Sequence, residues 1–294
     1  MTKKNVLDVV EMKGDAEPSF PTYKITGKSD FIFSLISGIR NAGKSNLMLN
    51  ILEIEKDVML SGLNKVYFIS PTRDAKIRAF MDKYEDNFEY VEDFTQKGFE
   101  DVLTDIKERL DEWKKTRKIG DIYRKYKKNH KGLTDEELIK LEEYLIANNV
   151  VIDDLDDEIK HYQAYPPIST IMIDDNLASP MLSQAQSKAG KWFAKYAIKH
   201  RHFPYYSNLF IATQHIKSIS KILRVNTTMF IMFPFRDTTI YESVFKEIAG
   251  MFKNDFNLFV DIMNRIEETP HSFLLVYYDK AKFVRQDLNK EITI

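Results

Sequence analysis

The chain of 294 residues contains no cysteine. That excludes disulfides and thiolate metal centres, and it agrees with a reducing compartment. Glycine is scarce, at only 10 residues, so a set of glycines at fixed spacing carries more information here than in an average chain. No uninterrupted apolar run is long enough to cross a bilayer, so no membrane span is expected. The opening Met1-Thr2-Lys3-Lys4-Asn5 is not followed by the apolar segment of a secretory signal. Charge of either sign is not in excess: 43 Lys and Arg against 44 Asp and Glu leave a net charge of -1. Any contact with nucleic acid must therefore come from a local patch and not from the field of the whole molecule. Internal repeats and low-complexity segments are also absent.

With 44% hydrophobic and 13% aromatic residues the chain can bury a substantial core. Its most informative feature is Gly38-Ile39-Arg40-Asn41-Ala42-Gly43-Lys44-Ser45, a full match to the phosphate-cradling loop G-x-x-x-x-G-K-[ST]. A random match in a chain this long has odds of about one in a hundred at ordinary residue usage. The run 31–36 before it reads as a buried strand and Ser45 to Leu52 as the start of a helix, which is the setting the motif requires. The glycines let backbone N–H groups turn inward, and the helix N-terminus favours an anion. Residues 38–46, with Asn46 in the first helical turn, are the expected nucleotide contacts for ATP. Lys44 would reach the terminal phosphates, and Ser45 would ligate Mg2+. Gly27-Lys28-Ser29 repeats part of the motif, but Thr22 stands where its first glycine should be, so an ordinary turn is expected there.

Residues 1–29 are mixed and polar and read as an N-terminal arm. Residues 30–294 read as one ATPase domain, with a charged helical insertion at about 107–165. Strands are expected at 65–70, 88–91, 168–175, 208–214 and 228–233. Helices lie between them, and a hairpin of 272–278 with 282–286 closes the chain. Strands alternating with helices mean an α/β fold, here a P-loop NTPase with a mostly parallel central sheet flanked by helices. The insertion is basic first (Lys114 through Lys131) and then acidic (Asp135 through Glu158), with Thr134-x-x-Glu137 as a capping box. Two readings stay open: an arm that tracks DNA, or two helices that neutralise each other at the surface.

An apolar strand ends on Asp174-Asp175. At the carboxyl end of a parallel strand, Asp174 would hold the water shell of a magnesium ion bound by Ser45. Asp175 would orient or activate the attacking water, and Asp-Asp after a strand is also ordinary turn chemistry. Strands at 65–70 and 88–91 precede this acidic strand, which argues against a simple nucleoside kinase and for an ATPase with an extra strand between its motifs. Gln214 ends the next strand and is a candidate γ-phosphate sensor. Arg201, in Lys199-His200-Arg201-His202, is a candidate arginine finger toward a neighbouring subunit, with Arg224 as the second candidate. The clustered histidines match no zinc spacing, and His215 is assigned no role.

This series resembles the poxvirus-type genome-packaging ATPases of the FtsK–HerA superfamily. The resemblance rests on Gly38 to Ser45, Thr170 to Asp175, Arg201-His202 ahead of a strand ending in Gln214, and Leu223-Arg224-Val225-Asn226 before a strand ending in Phe233. It covers about residues 30 to 235. It implies that Lys44, Ser45 and Asp174 bind nucleotide and magnesium, Asp175 polarises water, Gln214 senses, and Arg201 acts in trans. It also implies a ring homo-oligomer that drives double-stranded DNA into a preformed capsid, engages capsid or portal proteins, and works at viral assembly sites in the host cytoplasm or within the virion. His200 departs from the glycine usual before the Arg-His pair. Other expectations the residues allow are a helicase or recombination motor of the same superfamily, and a slow nucleotide-dependent switch for capsid assembly.

Overall fold

The computed structural model describes residues 18–129, 132–152, 165–175, 179–235, 237–278 and 282–294. Residues 1–17 of the expected arm, Lys131, and the acidic residues from 153 to 158 lie outside the described residues.

Three strands set the centre. β1 (Phe33–Ser37), β4 (Ser169–Asp174) and β5 (Ser207–Thr213) are buried at every residue, which explains why each reads as a nearly continuous apolar run. They are joined by β2 (Lys65–Ile69), β3 (Phe88–Val91) and β6 (Met229–Met232), and then by β7 (Leu274–Tyr277), β8 (Phe283–Gln286) and β9 (Lys290–Glu291). The sheet order is β3-β2-β4-β5-β1-β6-β7-β8-β9. The first six strands run parallel and the last three antiparallel. The expected mostly parallel α/β sheet with a C-terminal hairpin is therefore present, and the hairpin gains the two-residue strand β9.

Period-two alternation splits the core between the two faces. Leu35, Ile69, Ile171, Ile173, Leu209 and Ile211 point to one side. Ile36, Val66, Phe68, Met172, Phe210 and Ile231 point to the other. The second face is covered by α1 (Lys44–Ile54), α2 (Lys56–Met59) and α3 (Ala75–Lys83). The first is covered by α4 (Gln96–Lys128), α6 (Pro180–Ser183), α7 (Lys188–Lys199), α8 (Lys221–Val225), α9 (Thr238–Ile248) and α10 (Phe256–Glu267). Between α4 and α6 comes α5 (Asp135–Asn148).

Strand order corrects one step of the sequence argument. β2 and β3 precede β4 in the chain but lie on its far side, away from β1. The strand that separates the phosphate-loop strand from the acidic strand is β5, which comes after both. The spacer is real, but sequence order alone points to the wrong strands.

The 33 residues of α4 extend about 50 Å at 1.5 Å per residue. Phe99, Val102 and Ile106 in its first half belong to the main core, and Lys114 lies over the Phe203 ring at 4.5 Å. Ile122 and Tyr123 in its second half form a small separate core with Leu141 of α5. There the Thr134–Glu137 capping box is formed, and Lys125 pairs with Glu137 at 2.5 Å. The Gly27-Lys28-Ser29 segment sits at a turn bridged between Tyr23 and Lys28, with Gly27 left-handed at φ 65°.

Candidate active site

The site is built where β1, β5 and β4 end together. The Gly38 N–H donates to the Thr213 carbonyl at 3.2 Å, tying the start of the glycine loop to the end of β5. The loop then turns through Asn41 at φ 63° and Gly43 at φ 110° before α1 begins at Lys44. At φ 110° a side chain would be strained, which is the local reason for glycine at position 43. Gly38 has a different reason: a Cβ there would meet the Phe233 Cβ at 2.9 Å.

The N-terminus of α1 carries no side-chain cap. By contrast, Asp74, Thr95, Thr134 and Ser187 cap α3, α4, α5 and α7 through their side chains. The first-turn amides of α1 are thus left for an anion, with the helix field behind them. The Lys44 ammonium donates to the carbonyls of Gly38 at 3.0 Å and Ile39 at 3.1 Å, which keeps it inside the loop's concavity. Burial pushes its pKa down, opposed by Asp175 and Asp174.

The Ser45 hydroxyl donates to Asp174 Oδ2 at 2.5 Å, although 129 positions separate the two in the chain. Asp174 is only 5% exposed. Its burial pushes the carboxyl's pKa up, while the Ser45 hydroxyl and the Lys44 ammonium pull it down. The next residue, Asp175, leaves the strand in the left-handed region at φ 49° and stands exposed. Gln214 Nε2 donates to Asp175 Oδ2 at 2.8 Å. Five sequence-chosen residues, Lys44, Ser45, Asp174, Asp175 and Gln214, therefore line one cleft of about 400 Å³ with Arg40, Asn41, Gly43 and Asn46 of the loop.

The cleft also contains residues that the motif reading missed. Lys76 Nζ donates to Asn46 Oδ1 at 2.8 Å, and Thr72 and Asp74 line the same wall. The signal for them was available: the loop after β2 leaves the same edge of a parallel sheet as the acidic strand. His271, whose Nδ1 lies 3.3 Å from the Ala42 carbonyl, arrives from the turn before β7 and had no such signal.

Arg201 is not brought into this cleft. It lies in the loop that enters β5, whereas the cleft lies where β5 ends, a strand length of about 23 Å away. Its neighbour His200 is 4% exposed, with Nδ1–H donating to the Ser207 carbonyl. His200 thus takes a structural position inside the fold, while Arg201 itself is exposed. Arg224 is held from all sides: Nε pairs with Glu247 at 2.9 Å, and Nη1 donates to the Ile219 carbonyl at 2.8 Å.

A triphosphate and a hard cation fit this donor set. Among the described residues no group of three or more His, Asp or Glu side chains could hold a metal by itself. A cation here would take the Ser45 oxygen and phosphate oxygens as ligands, with the Asp174 carboxylate behind. That is the manner of Mg2+, which keeps several waters.

No protein-family model matches the chain, and no curated protein matches it. Solved structures are similar to it at low identity. The genome packaging NTPase B204 from Sulfolobus turreted icosahedral virus 2, in complex with AMPPCP, shares 14% identity at a TM-score of 0.47 over 90% of this chain and 99% of that one. The pCW3 conjugation coupling protein TcpA with ATPγS shares 14% identity at a TM-score of 0.44, over 87% of this chain and 59% of that one. EssC ATPases 2 and 3 from Geobacillus thermodenitrificans share 13% identity at a TM-score of 0.39, over 88% of this chain and 38% of that one.

Proposed function

We propose that this chain is an ATP-hydrolysing motor that moves double-stranded DNA, and that its work is to package a viral genome into a preformed capsid. The observation that carries the hydrolytic part is the paired bonding at the strand ends, Ser45 to Asp174 and Gln214 to Asp175. The packaging part rests on the ordered series of motifs from Gly38 to Phe233, which resembles the packaging branch of the FtsK–HerA superfamily.

The loop amides and Lys44 would bind and orient the β- and γ-phosphates. Magnesium, when bound, would neutralise charge developing on the phosphate oxygens, and Ser45 and Asp174 are the residues that would hold it. Asp175 accepts a hydrogen bond from Gln214, which fixes one carboxylate oxygen and leaves the other for the attacking water. Gln214, which donates to Asp175, would report through β5 on whether the γ-phosphate is present. Arg201, at the opposite end of β5, would act on the nucleotide of a neighbouring copy, so that hydrolysis requires a ring homo-oligomer. Capsid or portal proteins are its further partners, at viral assembly sites in the host cytoplasm.

The test is the ATPase rate of the full chain with and without duplex DNA across a salt series. Stimulation by duplex that fades with salt is expected, because backbone contacts release counterions. Hydrolysis that survives Lys44→Ala would overturn the enzymatic reading. Turnover indifferent to duplex would overturn the motor in favour of an assembly switch, and strand separation would favour a helicase.

A further inference from the structure

Two exposed apolar patches of opposite charge remain unmatched among the described residues. The first is a groove between α7 and α8, of about 720 Å³. Ile198, Ile222 and Val225 form its floor at 45%, 38% and 60% exposure. Lys191, Lys195, Lys199 and Lys221 rim it, and none of the four forms an ion pair among the described residues. The lysines on α7 recur at i, i+4 and i+8, on the side of the helix away from the buried Phe193, Tyr196 and Ala197.

The second patch is the outer face of α5. Its buried residue Leu141 packs on α4. Away from that contact, Ile139 and Ile146 are 54% and 80% exposed. They lie seven residues apart, two turns along one face, in register with Asp135 and Glu142. Asp135, Glu142 and Glu143 are exposed and form no ion pair among the described residues. Glu136 and Glu137 on the neighbouring face are already paired, with Lys140 and Lys125.

We propose that the acidic face of α5 in one copy docks into the lysine-rimmed groove between α7 and α8 of a second copy. Ile139 and Ile146 would bury against Ile198, Ile222 and Val225, and the carboxylates would meet the lysines. An apolar helix face laid into an apolar groove with complementary rims is a recurring mode of recognition. Both patches stay exposed among the described residues, and their opposite charges make a second copy the occupant that complements each. The contact joins two different surfaces and is therefore head-to-tail, the class of contact that generates rings. The isoleucine floor argues against duplex DNA as the occupant, since a surface for phosphates needs no exposed branched aliphatics. Neither patch shares a lining residue with the nucleotide cleft, so the contact can be read without nucleotide.

Analytical ultracentrifugation of the full chain without nucleotide tests this. The wild-type chain is expected to self-associate as its concentration rises. Ile146→Asp removes one half of the contact and Val225→Asp the other; each should weaken association about tenfold or more. Both positions are exposed, so the melting temperatures should stay at the wild-type value. The signature is in the mixture: each variant alone associates at least about tenfold more weakly than wild type, yet the two together form a one-to-one dimer through the single intact pair of surfaces. A wild-type chain that stays monomeric, variants that associate as wild type does, or a mixture that stays monomeric overturns the proposal. So does a Lys195→Glu, Lys199→Glu chain that associates normally but loses duplex DNA binding, which would make the groove a DNA surface.

Discussion

Ser45 at the start of α1 and Asp174 at the end of β4 share a hydrogen bond of 2.5 Å, although β5 lies between the strands that lead to them. The bond offsets part of the cost of burying the Asp174 carboxylate, whose pKa burial raises. A raised pKa means that the folded chain disfavours the charged form at neutral pH. Asp174→Asn removes that penalty at nearly constant shape. The expected outcome is a melting temperature equal to or above wild type, together with ATP turnover reduced by about a hundredfold or more. A thermal melt without nucleotide and a steady-state ATPase assay check it; a large loss of stability would show that the carboxylate is there for the fold.

Gln214 and Asp175 make the second pair, at 2.8 Å. Asp175→Asn should leave nucleotide binding close to wild type and lower turnover by about 10²- to 10⁴-fold, the range for a lost general base. Gln214→Ala should cost less, about ten- to a hundredfold, as expected for one hydrogen bond to a charged group. If Gln214 acts through Asp175, the double variant should be no worse than Asp175→Asn alone. Binding of a labelled ATP analogue and single-turnover hydrolysis separate these effects, and additive losses would show that the two residues work independently.

What the sequence made legible follows from what is local in the chain. The loop 38–45 is contiguous, and β4 and β5 announce themselves as apolar runs that each end in a polar residue, so five residues that share the cleft could be chosen without coordinates. Strand order was not legible. β5 separates β1 from β4 because of packing between segments far apart in sequence, and counting strands along the chain points instead to β2 and β3. His271 enters the cleft for the same reason, through a turn that only the assembled sheet brings to that edge. His200 shows a different limit. In the sequence it stands out only as a departure from the glycine usual before the Arg-His pair, and only the fold shows its ring buried against Phe33 at 5.7 Å between centroids.

The exposed Arg201 and the tethered Arg224 differ in what their loss should do. Arg224→Ala breaks the bond to Glu247 and frees the Ile219 carbonyl, so its first effect should be on stability, of about 1–3 kcal/mol. Arg201→Ala touches little within its own chain and should leave the melting temperature unchanged while lowering turnover about 10³-fold or more, the scale of a lost arginine finger. Mixing Arg201→Ala with Asp175→Asn chains tests action between copies. Partial recovery of activity is expected, because some interfaces then combine an intact finger with an intact cleft. No recovery at any mixing ratio would count against a trans-acting role.

Burial lowers the pKa of His200 from 6.5 to about 4. A histidine whose folded pKa lies below its unfolded value contributes stability that is fully present above the unfolded pKa. That contribution is lost as pH falls from about 6.5 toward 4. Between pH 7 and pH 5 the loss from this one group is about 2 kcal/mol, at 1.36 kcal/mol for each unit below 6.5. His200→Gln retains a donor for the Ser207 carbonyl but cannot take up a proton there. Denaturant melts at the two pH values should show the wild-type chain losing about 2 kcal/mol more than the His200→Gln chain. Because His200 sits between the end of α7 and the first residue of β5, its protonation should also loosen the loop that carries Arg201. If Arg201 acts in trans, wild-type turnover should fall more steeply than that of His200→Gln as pH approaches 4, whereas parallel pH profiles would confine the histidine's role to stability.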